Sequence, residues 1–209
     1  MMSIKLYKYM RSGETLANII DRIKPISQEE RDRLIDFVMD LGRADEIVER
    51  IVQESDPKLR KALFNSTRDY IKKYLELGYC GVFELFKADL DWNRNRTVRS
   101  SIQLSKAIYK FISNNIVKVH DRRLEALIIT SNLLDDLFDV RKDGNLNFKY
   151  ILGLIGELIR YSYISSSLIF KNLDLLYDLL VNVKYVFRGG FENETIKNAD
   201  TDISKLIRY

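Results

Sequence analysis

A helix is encoded most clearly in the stretch Ser27-Gln-Glu-Glu-Arg-Asp-Arg-Leu-Ile-Asp-Phe-Val-Met-Asp-Leu-Gly42. It begins with a capping box, in which the side chains of Ser27 and Glu30 each accept a hydrogen bond from the backbone N–H of the other residue. Apolar residues then recur at the spacing of one helix face, at positions 34, 35, 38 and 41. Gly42 is expected to end this helix, because glycine adopts the left-handed backbone conformation at low cost.

Start and stop signals of the same kind recur along the chain. Asp56-Pro57 predicts an N-cap followed by the first residue of a helix, and Gly78 predicts the end of that helix. The polar run 89–96 predicts a loop, and Asp143-Gly-Asn predicts a turn. No apolar–polar alternation of strand period persists, so the chain is predicted to be all-α. The predicted helices cover residues 28–41, 44–54, 57–78, 82–86, 98–117, 122–138, 147–163 and 168–187.

These elements predict one compact domain of seven or eight helices over residues 1–190, because 209 residues suffice for a single sizeable core. Residues 1–88 are a candidate N-terminal helical subdomain. Residues 191–209 are predicted to form a polar C-terminal tail. The apolar C-terminal pair, 147–163 and 168–187, is expected to form the centre of the domain.

The composition excludes several classes of site. The single cysteine excludes an internal disulfide and a thiolate metal cluster, and the single histidine argues against a histidine-based metal site or proton relay. No cofactor is expected. The apolar region 150–170 contains Glu157 and Arg160, whose charges would be costly in a bilayer, so no membrane span is predicted. The first residues contain no apolar run typical of a signal peptide, and the expected location is the cytoplasm.

Charge is distributed unevenly along the chain. The net charge of +4 divides into −3 for residues 1–57, +9 for residues 58–123 and −2 for residues 124–209. No acidic residue lies between Trp92 and His120. A basic segment of this kind is typical of a surface that contacts a polyanion.

Helical spacing places several cations of this segment on one face. Arg99, Gln103, Lys106 and Lys110 follow one another at i, i+4, i+7 and i+11, so their side chains should point in one direction. Arg and Lys side chains neutralise phosphates and release condensed counterions on binding, and Trp92 could stack on a base. The alternative is that this face is only the solvated side of an amphipathic helix.

The favoured interpretation is a non-catalytic binding protein whose basic middle segment, 58–123, contacts a polyanion, with nucleic acid as the first candidate. The alternative is a protein–protein adaptor or a structural or assembly subunit, of viral or mobile-element origin, that contacts a protein partner or forms a homo-oligomer. The predicted polyanion-binding residues are Arg94, Arg96, Arg99, Gln103, Lys106, Lys110, Lys118, Arg122 and Arg123.

A third interpretation, a Mg²⁺-dependent enzyme, depends on an aspartate cluster. The pattern Asp-Asp-x-x-Asp, formed by Asp135, Asp136 and Asp139, resembles the first aspartate-rich motif of the all-helical terpene synthases and prenyl transferases. The resemblance implies that these aspartates would hold Mg²⁺ bound to a diphosphate. The chain contains no second motif of this kind, so an acidic helix end without a metal is the preferred interpretation, and no enzyme activity is predicted.

Overall fold

The computed structural model describes residues 4–143 and 148–173, except for the side chains of residues 4–8, 139 and 141–143. In these ranges the chain forms seven helices and no strand, which confirms the all-α prediction. The helices are α1 (Ile4–Ile23), α2 (Gln28–Gln53), α3 (Pro57–Glu76), α4 (Val82–Asn95), α5 (Val98–Asn115), α6 (Arg122–Asp143) and α7 (Phe148–Lys171).

Two predicted helix starts are confirmed by their hydrogen bonds. The Ser27 hydroxyl accepts from the Glu30 N–H at 3.1 Å, and the Glu30 carboxylate accepts from the Ser27 N–H at 2.8 Å. This second bond lowers the pKa of Glu30. At the start of α3, the Asp56 carboxylate accepts from the Lys58 N–H at 2.8 Å. Gly78 follows the end of α3 with a φ of +74°, as its predicted role as a terminator requires.

The prediction that Gly42 ends a helix is wrong. Helix α2 continues through Gly42 to Gln53, and it therefore includes the separately predicted helix 44–54. Position 42 has no room for a side chain, because a Cβ atom there would collide with the ring of Tyr9 on α1. Gly13 of α1 is similarly crowded, with Ile35 Cα 3.0 Å from the site of its missing Cβ. Both glycines thus permit close packing of α1 on α2, and α1 is a helix that the sequence signals did not indicate.

The prediction of a loop over residues 89–96 is also wrong. Helix α4 extends to Asn95, and the polar side chains of Asp89 and Asn93 are buried instead of solvated. Asn93 donates to Asp45 of α2 at 3.2 Å. Because the buried Asn93 amide donates across the α2–α4 contact, a polar sequence can form a packed helix here.

The expectation that the C-terminal helices form the apolar centre is wrong for the part of that region that the structure describes. Residues 148–171 form one continuous helix, so the predicted break between 163 and 168 is absent. Of its 24 residues only Leu154, Ser165 and Leu168 are buried. Among the described residues, most of the largest fully buried apolar side chains belong to α1, α2, α5 and α6, whereas α7 contributes Leu154; those of the first four helices are Ile20, Leu34, Phe37, Ile112, Leu124, Ile129 and Leu133.

The first compact unit of the chain ends at residue 171 and contains all seven described helices. In the first unit α5 packs against both α4 and α6, and α6 packs against α7. The predicted turn at 143–145, the predicted helix beyond residue 173 and the predicted polar tail 191–209 fall outside the described residues. Among the helices that are described, none is both long and apolar enough to cross a membrane.

Candidate polyanion-binding face

Helix α5 presents one exposed polar face along its full length. The exposed residues of this helix are Arg99, Gln103, Lys106, Lys110 and Asn114, which follow one another at helical spacing. The first four are the residues whose common orientation the sequence predicted, and this placement is confirmed. We call these four residues the basic face. At 1.5 Å per residue, the face extends about 16 Å from its first to its last cation.

The opposite side of α5 is buried and rich in serine. Ser101 and Ser105 are fully buried, and Ser105 donates to the Ser101 carbonyl oxygen at 3.0 Å. Ser101 also accepts from the Asn132 side chain of α6 at 3.0 Å. Small side chains permit close approach of neighbouring helices, while Phe111 and Ile112 fill the core further along. The packing of this side fixes the direction in which the basic face points.

Hydrogen bonds fix both ends of α5. At the N-terminus the Thr97 hydroxyl accepts from the Ser100 N–H at 3.1 Å. At the C-terminus Asn115 accepts from the Cys80 N–H at 2.7 Å and donates to the Cys80 carbonyl oxygen at 2.9 Å. The Tyr109 hydroxyl accepts from the Asp121 N–H at 2.8 Å, which holds the connection to α6. The basic face is therefore carried by a helix whose position is defined before any ligand binds.

Three further cations of the basic segment are exposed, and the described residues provide no partner for their side chains. Arg94 lies near the end of α4, Lys118 lies between α5 and α6, and Arg122 begins α6. Within the described ranges, the side chains of these three residues and of the three cations of the basic face form no ion pair or hydrogen bond. Six of the eight predicted cations are thus exposed, and no carboxylate of the described residues forms an ion pair with them.

The other two predicted cations are engaged within the chain. Arg96 lies 3.5 Å from a Glu49 carboxylate oxygen, and its guanidinium lies over the Trp92 ring at 5.1 Å. The guanidinium thereby occupies a ring face that base stacking on Trp92 would require. Arg123 forms a forked pair with Asp121, with contacts of 3.1 and 2.6 Å. These hydrogen bonds from Arg123 lower the pKa of Asp121.

A pair of carboxyl groups lies between α2 and α4, with Asp89 buried and Asp45 partly buried, and no sequence signal pointed to it. Asn93 donates to Asp89 at 3.1 Å and to Asp45 at 3.2 Å. Burial, followed by the nearby charge of Asp45, raises the pKa of Asp89 to about 8. Burial also raises the pKa of Asp45. Because burial and the charge of Asp45 both disfavour the ionised form of Asp89, the protonated form of Asp89 is favoured at neutral pH.

The aspartate motif on α6 is only partly described. Asp135 is exposed, Asp136 is buried, and the side chain of Asp139 lies outside the described residues. In the described part of the chain, no group of three or more His, Cys, Asp or Glu side chains is placed to hold a metal ion. The proposed sharing of Mg²⁺ by these three carboxylates stays an untested prediction.

Comparisons of the chain with known protein families, with curated proteins and with solved structures find no match. The function is therefore argued from the residues of the basic face and their surroundings.

Proposed function

We propose that this protein is a non-catalytic polyanion-binding protein and that its ligand is nucleic acid. The ligand contacts the basic face of α5, with additional phosphate contacts from Arg94, Lys118 and Arg122. The observation that carries the proposal is the set of six exposed cations that have no partner among the described residues, three of which lie on one face of a single helix. Such cations bind phosphates without first breaking an intrachain ion pair.

The charge pattern of α5 differs from that of the other surface helices. Exposed cations on helices are commonly paired with a carboxylate three or four residues away. Four helices contain at least one such pair, namely Arg11–Glu14 on α1, Arg33–Glu29 on α2, Lys72–Glu76 on α3 and Arg160–Glu157 on α7. Helix α5 contains no acidic residue. Helix α3 also carries exposed cations for which the described residues show no pair, Lys58, Lys61 and Arg68, but it contains Asp69 and Glu76 as well. The complete lack of carboxylates on α5 is what favours a ligand-binding role over an ordinary solvated face.

The residue types of the face suggest how the ligand is held. Arg99, Lys106 and Lys110 supply charge to the phosphate backbone, which fixes position but carries no sequence information. Gln103 and Asn114 lie in the same exposed row and supply amide groups that pair with base edges. We therefore expect a largely electrostatic affinity with weak sequence preference.

The proposal is tested with the triple variant Arg99→Glu/Lys106→Glu/Lys110→Glu. Binding of short labelled single- and double-stranded DNA and RNA is measured by fluorescence anisotropy. At about 50 mM salt we expect the variant to bind at least about 100-fold more weakly than the wild type, because it replaces three of about six phosphate contacts by repulsive charges. Circular dichroism checks that helicity is unchanged, since all three side chains are exposed.

A matched control distinguishes the loss of the basic face from a general change in net charge. Lys58→Glu/Lys61→Glu/Arg68→Glu makes the same charge change at three exposed positions of α3, within the same basic segment of the sequence. We expect this control to bind the nucleic acid at least about ten times more tightly than the α5 variant does. Salt screens exposed charges that lie far from the ligand, so the α3 substitutions should weaken binding only slightly. Undiminished binding by the α5 variant, or equal losses in the two variants, would refute the assignment to the basic face.

A further inference from the structure

The outer side of α7 carries a row of exposed apolar side chains along its length. We call it the α7 stripe, and it consists of Phe148, Leu152, Ile155, Ile159, Tyr163 and Phe170. The three aromatic side chains are the most exposed, at 72% for Phe148, 82% for Tyr163 and 70% for Phe170. At 3.6 residues per turn, the six positions fall within an arc of about 80°.

The α7 stripe lies opposite the side by which α7 is attached to the domain. Leu154, Ser165 and Leu168 face inward, and Leu154 packs with Ile129 and Leu133 of α6. The stripe itself contains no charged residue. The exposed cations of α7, Lys149, Arg160 and Lys171, all fall on one flank of the stripe, and Arg160 is paired with Glu157 at 3.3 Å.

The area of the stripe approaches that of a stable protein interface. An aromatic side chain offers about 150–250 Å² for burial, so the three exposed aromatics leave roughly 350–550 Å² accessible. Three aliphatic side chains enlarge the patch towards the about 800 Å² that each partner contributes to a standard interface. Patches on monomeric proteins rarely exceed about 300–600 Å².

The spacing of the stripe is symmetric about Ile159. Including the half-buried Ser166, its positions are 148, 152, 155, 159, 163, 166 and 170, and the intervals read the same in both directions. A two-fold axis through Ile159 would therefore place each position of one helix opposite a position of an antiparallel copy. A surface that matches itself in this way is what an isologous dimer interface requires.

We propose that the α7 stripe is a homodimer interface in which two copies of α7 pack antiparallel, with Ile159 on the two-fold axis. Phe148 of each copy packs on Phe170 of the other, and Ile155 packs on Tyr163. Leu152 lies opposite the small Ser166, which leaves room for its side chain. This surface lies on α7 and is separate from the basic face of α5, so dimerisation does not depend on the proposed ligand.

Sedimentation velocity of the full chain tests the oligomeric state. We expect a dimer between about 1 and 100 µM, the weak end of the range for interfaces of this size. Ile159→Asp and Ile159→Lys should each be monomeric, whereas their mixture should form a heterodimer, because residue 159 meets its own copy. Phe83→Asp, at another exposed apolar side chain, should remain dimeric. A monomeric wild type, or dimers of Ile159→Asp, would overturn the proposal.

Cysteine cross-linking tests the position of the axis. In a Cys80→Ser background, Ile159→Cys should form disulfide-linked dimers, because the two Cα atoms meet at the axis. Leu152→Cys should not, since its two copies would lie about 21 Å apart along the helices, far beyond the about 7 Å limit for a disulfide. A mixture of Leu152→Cys and Ser166→Cys should cross-link. Self-linking of Leu152→Cys would indicate a parallel arrangement and overturn the proposed one.

The dependence on salt concentration distinguishes this dimer interface from the proposed nucleic-acid binding. Apolar association persists at high salt, and screening reduces repulsion between the cations beside the stripe. We therefore expect the dimer to be at least as stable at about 1 M salt as at low salt. Dissociation on raising the salt would contradict an apolar interface.

Discussion

The substitution Asp89→Asn should remove most of the pH dependence that the buried carboxyl pair gives to the stability of the fold. Asp89 is only 1% exposed, and Asn93 donates to it and to Asp45. The native pKa of Asp89 is about 8, whereas the unfolded chain has a value near 3.9. Asparagine resembles the protonated acid in shape and can also donate to Asp45.

The sign of the effect follows from which state holds the proton. Between about pH 4 and pH 8 the native state retains a proton on Asp89 that the unfolded state has released, so stability falls as the pH rises. The stabilisation is present at low pH and is lost as the pH rises through about 8. One proton corresponds to at most about 1.4 kcal/mol per pH unit. From about pH 5 to pH 8, the wild type should therefore lose up to about 4 kcal/mol.

Urea unfolding at several pH values between about 5 and 8 measures this loss. Asp89→Asn should show a much shallower decline and should be the more stable protein at the upper end. Asp69→Asn, at an exposed position on α3, is the matched control and should follow the wild type. If the free energy of unfolding fell equally steeply with pH in the wild type and in Asp89→Asn, the assignment of a retained proton to this pair would be refuted.

Two further predictions concern packing and capping. Gly42→Ala should destabilise the fold by about 1–3 kcal/mol, because the new methyl group would collide with Tyr9. Gly156→Ala, at an exposed mid-helix position with nothing within 4 Å, should instead stabilise it by about 0.5–1 kcal/mol, and urea unfolding of both variants measures the difference. Ser27→Ala should cost about 1 kcal/mol through loss of the capping box with Glu30, measured as a lowered urea midpoint at unchanged m-value. Equal stabilities of the two glycine variants, or an unchanged midpoint for Ser27→Ala, would contradict these assignments.

The features that could be predicted from the sequence are those set by neighbours in the chain. The capping box at Ser27 and the Asp56-Pro57 start are local, and the structure contains both. The common exposure of Arg99, Lys106 and Lys110 follows from helical periodicity alone. For the same reason, the candidate binding face could be placed on one side of α5 before its surroundings were known.

The features that sequence could not predict depend on contacts distant in the chain. Gly42 carries the signal of a helix end, but its lack of a side chain accommodates Tyr9, which lies 33 positions earlier. Asp89 and Asn93 have the composition of a loop, yet both are buried, and Asn93 donates to Asp89 and to Asp45 on α2. The partners of Arg96 and Arg123 are likewise visible only once the helices are packed.

The central claim, a polyanion-binding surface on α5, is tested most directly by the salt dependence of nucleic-acid binding by the wild type. Anisotropy titrations of short single- and double-stranded DNA and RNA at about 50 and about 200 mM salt are sufficient. Six phosphate contacts predict a loss of affinity on the order of 10³-fold between these two conditions. Absence of binding at the lower salt, or an affinity that does not change with salt, would contradict the claim.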